Sequence, residues 1–261
     1  MSAQTGFRCG DYMVTAAHGI KYDKVCIAYE GGVVEVNNVE IDDRWDIALI
    51  RLPEIPLKSL QLSVPNGMLV GELAIVVGMD RGTLNPYASL GMISCEGVNV
   101  KLGDRVIEGA LYVSSYAPRG ASGAPVLDSR GRVIGVVIGL DYSGGGLYAT
   151  PSRVIVNDLR LVKSGTRLRE RPRIGVKVLR VGAGLLVIHV DNGSPAHKAG
   201  LREGDVITAC GFGDVIKRVD TLWDLWKCID EALLNHCNEV KLAIVRKGEE
   251  KVVLVRVSPT T

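Results

Sequence analysis

Three residues of this 261-residue chain have the types and local settings that nucleophilic acyl transfer requires. They are His18 at the end of Thr15-Ala16-Ala17-His18, Asp46 at the head of Asp46-Ile47-Ala48-Leu49, and Ser122 within Gly120-Ala121-Ser122-Gly123-Ala124-Pro125. A serine hydroxyl is a poor nucleophile at neutral pH and needs a base within hydrogen-bond reach, a task suited to imidazole. A carboxylate behind the imidazole holds its tautomer and stabilises the imidazolium. A lone histidine at a strand end is more simply a hydrogen-bonded bystander, and Gly-Ala-Ser-Gly-Ala-Pro alone could be a surface turn. The three motifs together favour the catalytic reading.

The elements that must position these residues are short strands. Residues 24–29, 33–37, 47–52, 73–77, 91–96, 110–114, 124–127, 133–138 and 147–149 are apolar runs separated by glycine and proline signals, with almost no helical period between them. This pattern predicts an all-β barrel or sandwich, with a short helix or turn over 152–162 leading out. Residues 164–173 carry Arg167, Arg169, Arg171 and Arg173 and read as a solvated linker. Beyond them the pattern becomes mixed: strands over 174–179, 184–190, 206–209 and 240–245, and an amphipathic helix over 221–235. Leu222, Leu225, Trp226, Ile229 and Leu233 form its apolar face, and Thr221 with Asp224 its N-terminal cap.

The order histidine, aspartate, serine resembles the trypsin-like serine proteases. It differs from the α/β-hydrolase pattern, in which the serine comes first within G-x-S-x-G: position 124 is Ala124, and the histidines after Ser122 lie in the second half. In that half, Gly193-Ser194-Pro195-Ala196 and the run from Ala199 to Ile207 resemble the PDZ domains appended to bacterial and organellar proteases. Together they resemble the HtrA/DegP family of ATP-independent serine proteases. That resemblance implies a mainly β chain: a chymotrypsin-like double β-barrel over 1–163, a linker over 164–173 and an α+β PDZ domain over 174–261. Only five residues precede Gly6-Phe7, so the N-terminal barrel is expected to lack its first strand.

What the resemblance implies for function is degradation of unfolded or damaged proteins, with His18 as base, Asp46 as its orienter and Ser122 as nucleophile. Gly120 and Ser122 would supply backbone N–H donors to the oxyanion. Ile138, Gly139 and Leu140 would be the strand edge that an extended substrate joins. Tyr116 falls where such enzymes carry the residue at the floor of the specificity pocket; with no acid there, the expected preference is for a small or medium aliphatic residue before the scissile bond. Ile174-Gly175-Val176 matches the loop that takes a peptide C-terminal carboxylate, with Trp226 on the opposite groove wall. A homo-oligomer is a further expectation. Ala121 and Ala124 replace the asparagine and the glycine usual in the family around the nucleophile, so the loop must be ordered in another way. The alternative of another class is a peptide-binding or chaperone-like module that keeps the triad residues without competent geometry.

Composition sets the remaining bounds. A content of 47% hydrophobic and 23% charged residues suits a globular chain, and 31 basic against 29 acidic residues leave no electrostatic footprint for nucleic acid. No apolar run reaches the length of a membrane helix. The start Met1-Ser2-Ala3-Gln4-Thr5-Gly6 has no basic region followed by an apolar stretch, which as written reads as cytoplasmic, or as extracytoplasmic if the natural chain starts upstream. The six cysteines follow no zinc spacing, no metal or other cofactor is implied, and Cys228 on the apolar helix face reads as a buried free thiol in a reduced compartment.

Overall fold

The computed structural model describes residues 3–20, 24–65, 69–103 and 105–257. The chain divides into two units, Met1–Val162 and Lys163–Thr261.

In the first unit the strands are β1 (Phe7–Cys9), β2 (Tyr12–Ala16), β3 (Val25–Tyr29), β4 (Gly32–Val36), β5 (Val39–Asp42), β6 (Ile47–Arg51), β7 (Leu73–Met79), β8 (Pro86–Leu102), β9 (Arg105–Ser114), β10 (Pro125–Leu127), β11 (Val133–Asp141) and β12 (Gly146–Pro151), followed by helix α1 (Ser152–Lys163). They form two lobes. The first is an open four-stranded sheet in the order β1-β2-β6-β5, with β3 and β4 pairing as a separate hairpin. The second closes into a six-stranded barrel in the order β10-β11-β12-β9-β8-β7. The apolar run after Asp46 explains β6: Ile47, Ala48, Leu49 and Ile50 are all buried, as expected of a strand covered on both faces. The barrel interior is filled by alternate residues such as Ala74 and Val76 of β7 and Leu111 and Val113 of β9.

Several strands extend beyond, or are absent from, the sequence expectation. β8 and β9 run to the end of a long hairpin because their pairing passes through bulges at Ile93/Cys95, Glu96/Val98 and Val98/Val100. Each bulge breaks the period-2 pattern on which sequence recognition depends. β1, β2 and β5 are short or carry mixed side chains. The outer edge of β1 is closed by the segment near Ser59, whose hydroxyl accepts from the Gly10 N–H while Leu60 N–H donates to the Arg8 carbonyl.

The second unit contains β13 (Val176–Val181), β14 (Gly184–Val190), the single-turn helix α2 (Pro195–Lys198), β15 (Val206–Phe212), β16 (Val215–Arg218), α3 (Leu222–Leu234), β17 (Glu239–Arg246) and β18 (Glu249–Arg256). Its sheet runs β13-β14-β15-β17-β18 with β16 beside β15. Helix α3 starts as expected: the Thr221 hydroxyl accepts from the Asp224 N–H and the Asp224 carboxylate accepts from the Thr221 N–H. Leu225 and Ile229 then enter the core with Ile207, Leu242 and Val255.

Two expectations from sequence are overturned here. Cys228 is not a free thiol but is bonded to Cys210; α3 packs on β15 with the two Cα atoms 6.2 Å apart, within disulfide range. The inference of a reduced compartment loses its basis. The arginine segment is not uniformly solvated either. Arg171 is 3% exposed and pairs with the equally buried Asp230 of α3, Nε to Oδ1 3.7 Å, because two opposite charges can leave water only together.

Candidate active site

The triad residues converge from both lobes of the first unit. His18 sits in a single 3-10 turn, Ala17–Gly19, at the end of β2, and Asp46 immediately precedes the neighbouring β6. β2 and β6 are paired with Ala16 opposite Ile47, which fixes the distance between their ends. Asp46 adopts the left-handed conformation, φ 56°, one of the few non-glycine residues to do so. Aspartate tolerates this region better than most, and its neighbours hold it there. Its carbonyl accepts from the Ala17 N–H at 2.9 Å, and its Oδ1 accepts from the His18 N–H at 2.8 Å.

The side chains then define the protonation pattern. His18 Nδ1 lies 2.6 Å from Asp46 Oδ2, and Asp46 is 0% exposed. An ionised carboxylate can only accept, so Nδ1 carries the proton and Nε2 keeps its lone pair. Nε2 lies 3.1 Å from Ser122 Oγ, within the reach of a base for a hydroxyl proton. The imidazole itself is 37% exposed, so the side from which a substrate arrives is open.

Ser122 is delivered by a turn locked against the barrel and the N-terminal segment. Ala121 and Ala124 are buried in the barrel core, the Ala124 N–H donates to the Ala121 carbonyl at 2.8 Å, and the Ala124 carbonyl accepts from the Val137 N–H at 2.9 Å. Their methyl groups fill core space. Gly120 (φ 101°) and Gly123 (φ 83°) take conformations that side chains disfavour. The Gly120 and Ser122 carbonyls both accept from the Thr5 N–H, at 3.1 and 3.0 Å. The N–H groups of Gly120 and Ser122 have no hydrogen-bond partner among the described residues and are available to a developing oxyanion.

Thr5 was not singled out from sequence. Nor was Arg105, whose Nη2 lies 3.1 Å from Asp46 Oδ1. Both contacts bridge segments far apart in the chain, and no local pattern announces them.

The other expected site residues divide. Along β11, Ile138 is buried, whereas Gly139 and Leu140 are half-buried. β12 pairs with one edge of this stretch, and β10 reaches only as far as Val136 on the other. A strand edge therefore lies beside Ser122. Tyr116 does not form a pocket floor. It is 73% exposed, because alternation beyond the end of β9 turns Ser115 inward and Tyr116 out. In the second unit, Ile174 is buried and Gly175 is left-handed (φ 75°), its carbonyl accepting from the Asp191 N–H at 2.9 Å. Trp226 is half-buried against the core on α3, where Leu225 and Ile229 are fully inside.

Comparison with known proteins agrees with this architecture. Residues 4–136 match the trypsin-like peptidase domain family, and residues 172–257 match the PDZ domain family. The chain is 29% identical over 267 residues to a probable periplasmic serine endoprotease, DegP-like, of Chlamydia pneumoniae, covering 95% of this chain and 52% of that protein. It is 26% identical over 285 residues to the serine protease Do-like HtrA of Lactococcus lactis, covering 96% and 68%. The chain thus spans about half the length of the DegP-like relatives it matches. Among solved structures, the HtrA-type protease AlgW with a decapeptide superposes with a TM-score of 0.69 at 19% identity, covering 100% of this chain and 83% of that one. The serine endoprotease from Yersinia pestis gives 0.66 at 18% identity, covering 98% and 88%.

Proposed function

The chain belongs to the HtrA family of trypsin-like peptidases carrying a PDZ domain, and we propose that it is a serine endopeptidase acting through an acyl-enzyme. The observation that carries this reading is the placement of His18 within hydrogen-bond reach of both Asp46 and Ser122, 2.6 and 3.1 Å. Ser122 Oγ attacks the scissile carbonyl as its proton passes to His18 Nε2, and the N–H groups of Gly120 and Ser122 receive the oxyanion. Asp46 Oδ2 stabilises the imidazolium. The C–N bond breaks as His18 returns the proton to the leaving amine, and a water activated in the same way hydrolyses the acyl-serine.

An extended segment pairing along Ile138, Gly139 and Leu140 brings its carbonyl to Ser122, which favours unfolded or damaged chains as substrates over folded ones. Ile174-Gly175-Val176 takes a peptide C-terminal carboxylate, with Trp226 contributing to the groove. The Cys210–Cys228 bond and the periplasmic naming of the DegP-like relatives support an extracytoplasmic setting.

Labelling with a fluorophosphonate, together with degradation of casein, tests the reading. Wild-type protein is expected to label at Ser122 and cleave casein, and Ser122→Ala to do neither. Absence of labelling with and without added C-terminal peptides would overturn it.

A further inference from the structure

Resting on that reading, we propose that Arg105 is a positioning residue that holds the Asp46 carboxylate in place for the His18 imidazole. Arg105 opens β9 at the tip of the long β8–β9 hairpin, and its guanidinium divides between two carboxylates. Nη1 donates to Asp43 Oδ1 at 3.0 Å and Nη2 to Asp46 Oδ1 at 3.1 Å. Asp46 Oδ1 thus accepts from the His18 N–H and from Arg105, while Oδ2 faces the imidazole.

The origin of these donors matters. Both groups of His18 belong to the open-sheet lobe that also carries Asp46, so they cannot by themselves relate the carboxylate to the barrel, which carries Ser122. Arg105 comes from the barrel. The loop bearing Asp43 and Asp46 has further contacts with the same lobe: Thr150 Oγ1 donates to the Trp45 carbonyl at 2.6 Å, and a Cβ on Gly109 would stand 3.3 Å from the Trp45 ring. Only Arg105 among these reaches the carboxylate itself.

Its two bonds differ in weight. The one to Asp43 joins partly exposed groups and is screened by water. The other ends on a side chain with no exposure, where a charge-assisted bond is strong and a missing donor is felt. The guanidinium charge also offsets part of the carboxylate field at the imidazole. Because Arg105 is 36% exposed, solvent weakens that opposing effect, and orientation dominates.

The test uses the intact chain and two variants, Arg105→Met and Arg105→Lys. Turnover of a fluorogenic peptide is measured per fluorophosphonate-titratable site, alongside the low-field proton resonance of His18 Nδ1–H, assigned by its loss in His18→Ala. Arg105→Met is expected to lower kcat by about tenfold with KM changed less than about twofold, as removal of one charge-assisted hydrogen bond implies. The resonance should broaden or shift upfield at temperatures where the variant is still fully folded, and Arg105→Lys should recover part of both signals. Unchanged kcat and an unchanged resonance in Arg105→Met would overturn the assignment. A loss confined to KM would overturn it as well, by making the hairpin a substrate contact. If wild-type protein failed to label, the peptidase reading would fall, while the His18 resonance would still decide the role of Arg105.

Discussion

Thr5 and Gly120 are joined by two hydrogen bonds that tie the N-terminal segment to the nucleophile loop. The Thr5 N–H and its Oγ1 both donate to the Gly120 carbonyl, at 3.1 and 2.9 Å, and Thr5 is buried. The same hydroxyl accepts from the Met79 N–H at 3.1 Å. A carbonyl tethered in this way fixes the peptide whose neighbouring N–H would face the oxyanion.

Thr5→Val keeps the shape and removes the hydroxyl, leaving the Met79 N–H without its acceptor. Loss of about 1 kcal/mol in stability is expected from the hydrogen bonds that the hydroxyl gives up, one of them to a partly exposed donor. The peptide-hydrolysis rate should fall further than the stability change alone accounts for, since Gly120 gains freedom. Urea unfolding and kcat measured on the same preparation check both.

Gly123 and Gly131 provide a matched pair. Both have positive φ, 83° and 73°, but a Cβ on Gly123 would overlap the Thr5 carbonyl and the Thr15 hydroxyl, whereas one on Gly131 meets open space. Gly123→Ala is expected to abolish fluorophosphonate labelling of Ser122. Gly131→Ala should cost about 1 kcal/mol from backbone strain alone and leave labelling intact. Equal labelling of the two variants would contradict the crowding argument.

The disulfide links residues 18 apart in sequence, Cys210 on β15 and Cys228 on α3. Closing a loop of that size stabilises a fold by roughly 3 kcal/mol. Cys210→Ala/Cys228→Ala should therefore lower the melting temperature of the second unit and leave that of the first unchanged. Calorimetry with and without reductant separates the two transitions.

A pH-dependent contribution is expected from Asp205. Burial would push its carboxyl up, but bonds from the Arg246 side chain and the Arg202 N–H outweigh this and hold it below its ordinary 3.8. Arg246 Nε and Nη2 lie 2.6 and 2.7 Å from its two oxygens. A carboxyl lowered by folding stabilises the fold above its unfolded-state value, and that stabilisation disappears as pH falls below it. Arg246→Met should cost roughly 3 kcal/mol at pH 7, where it strands a buried charge. The gap between variant and wild type should narrow as pH falls through 3.8 and below, measured by urea unfolding.

How much of this was legible beforehand depended on whether the signal was local. His18, Asp46 and Ser122 stand in short contexts that carry their own meaning: a strand end, the mouth of a buried strand, a glycine-rich turn. The Thr221–Asp224 cap and the apolar face of α3 were equally legible, because capping and helical period are properties of neighbouring residues. The contacts of Thr5 with Gly120, Arg105 with Asp46 and Cys210 with Cys228 depend on how separate elements cross, which no window of sequence contains. Tyr116 was misplaced for a related reason: an alignment position cannot reveal that the strand has ended and the side chain has turned outward. Arg171 looked solvated among three other arginines until Asp230, on a helix some sixty residues away, supplied its counter-charge.

The division of the triad between an open sheet and a closed barrel makes the site a gauge of mechanical registry. His18 and Asp46 travel with one lobe and Ser122 with the other, and the bond joining them is already 3.1 Å long. A slip between lobes on the order of 1 Å, too small to expose any core, is enough to cost roughly a hundredfold in rate. Rising chaotrope or hydrostatic pressure should therefore silence the chemistry while the strands remain paired, and activity would report on the seam between the lobes before any spectroscopic probe of folding responds.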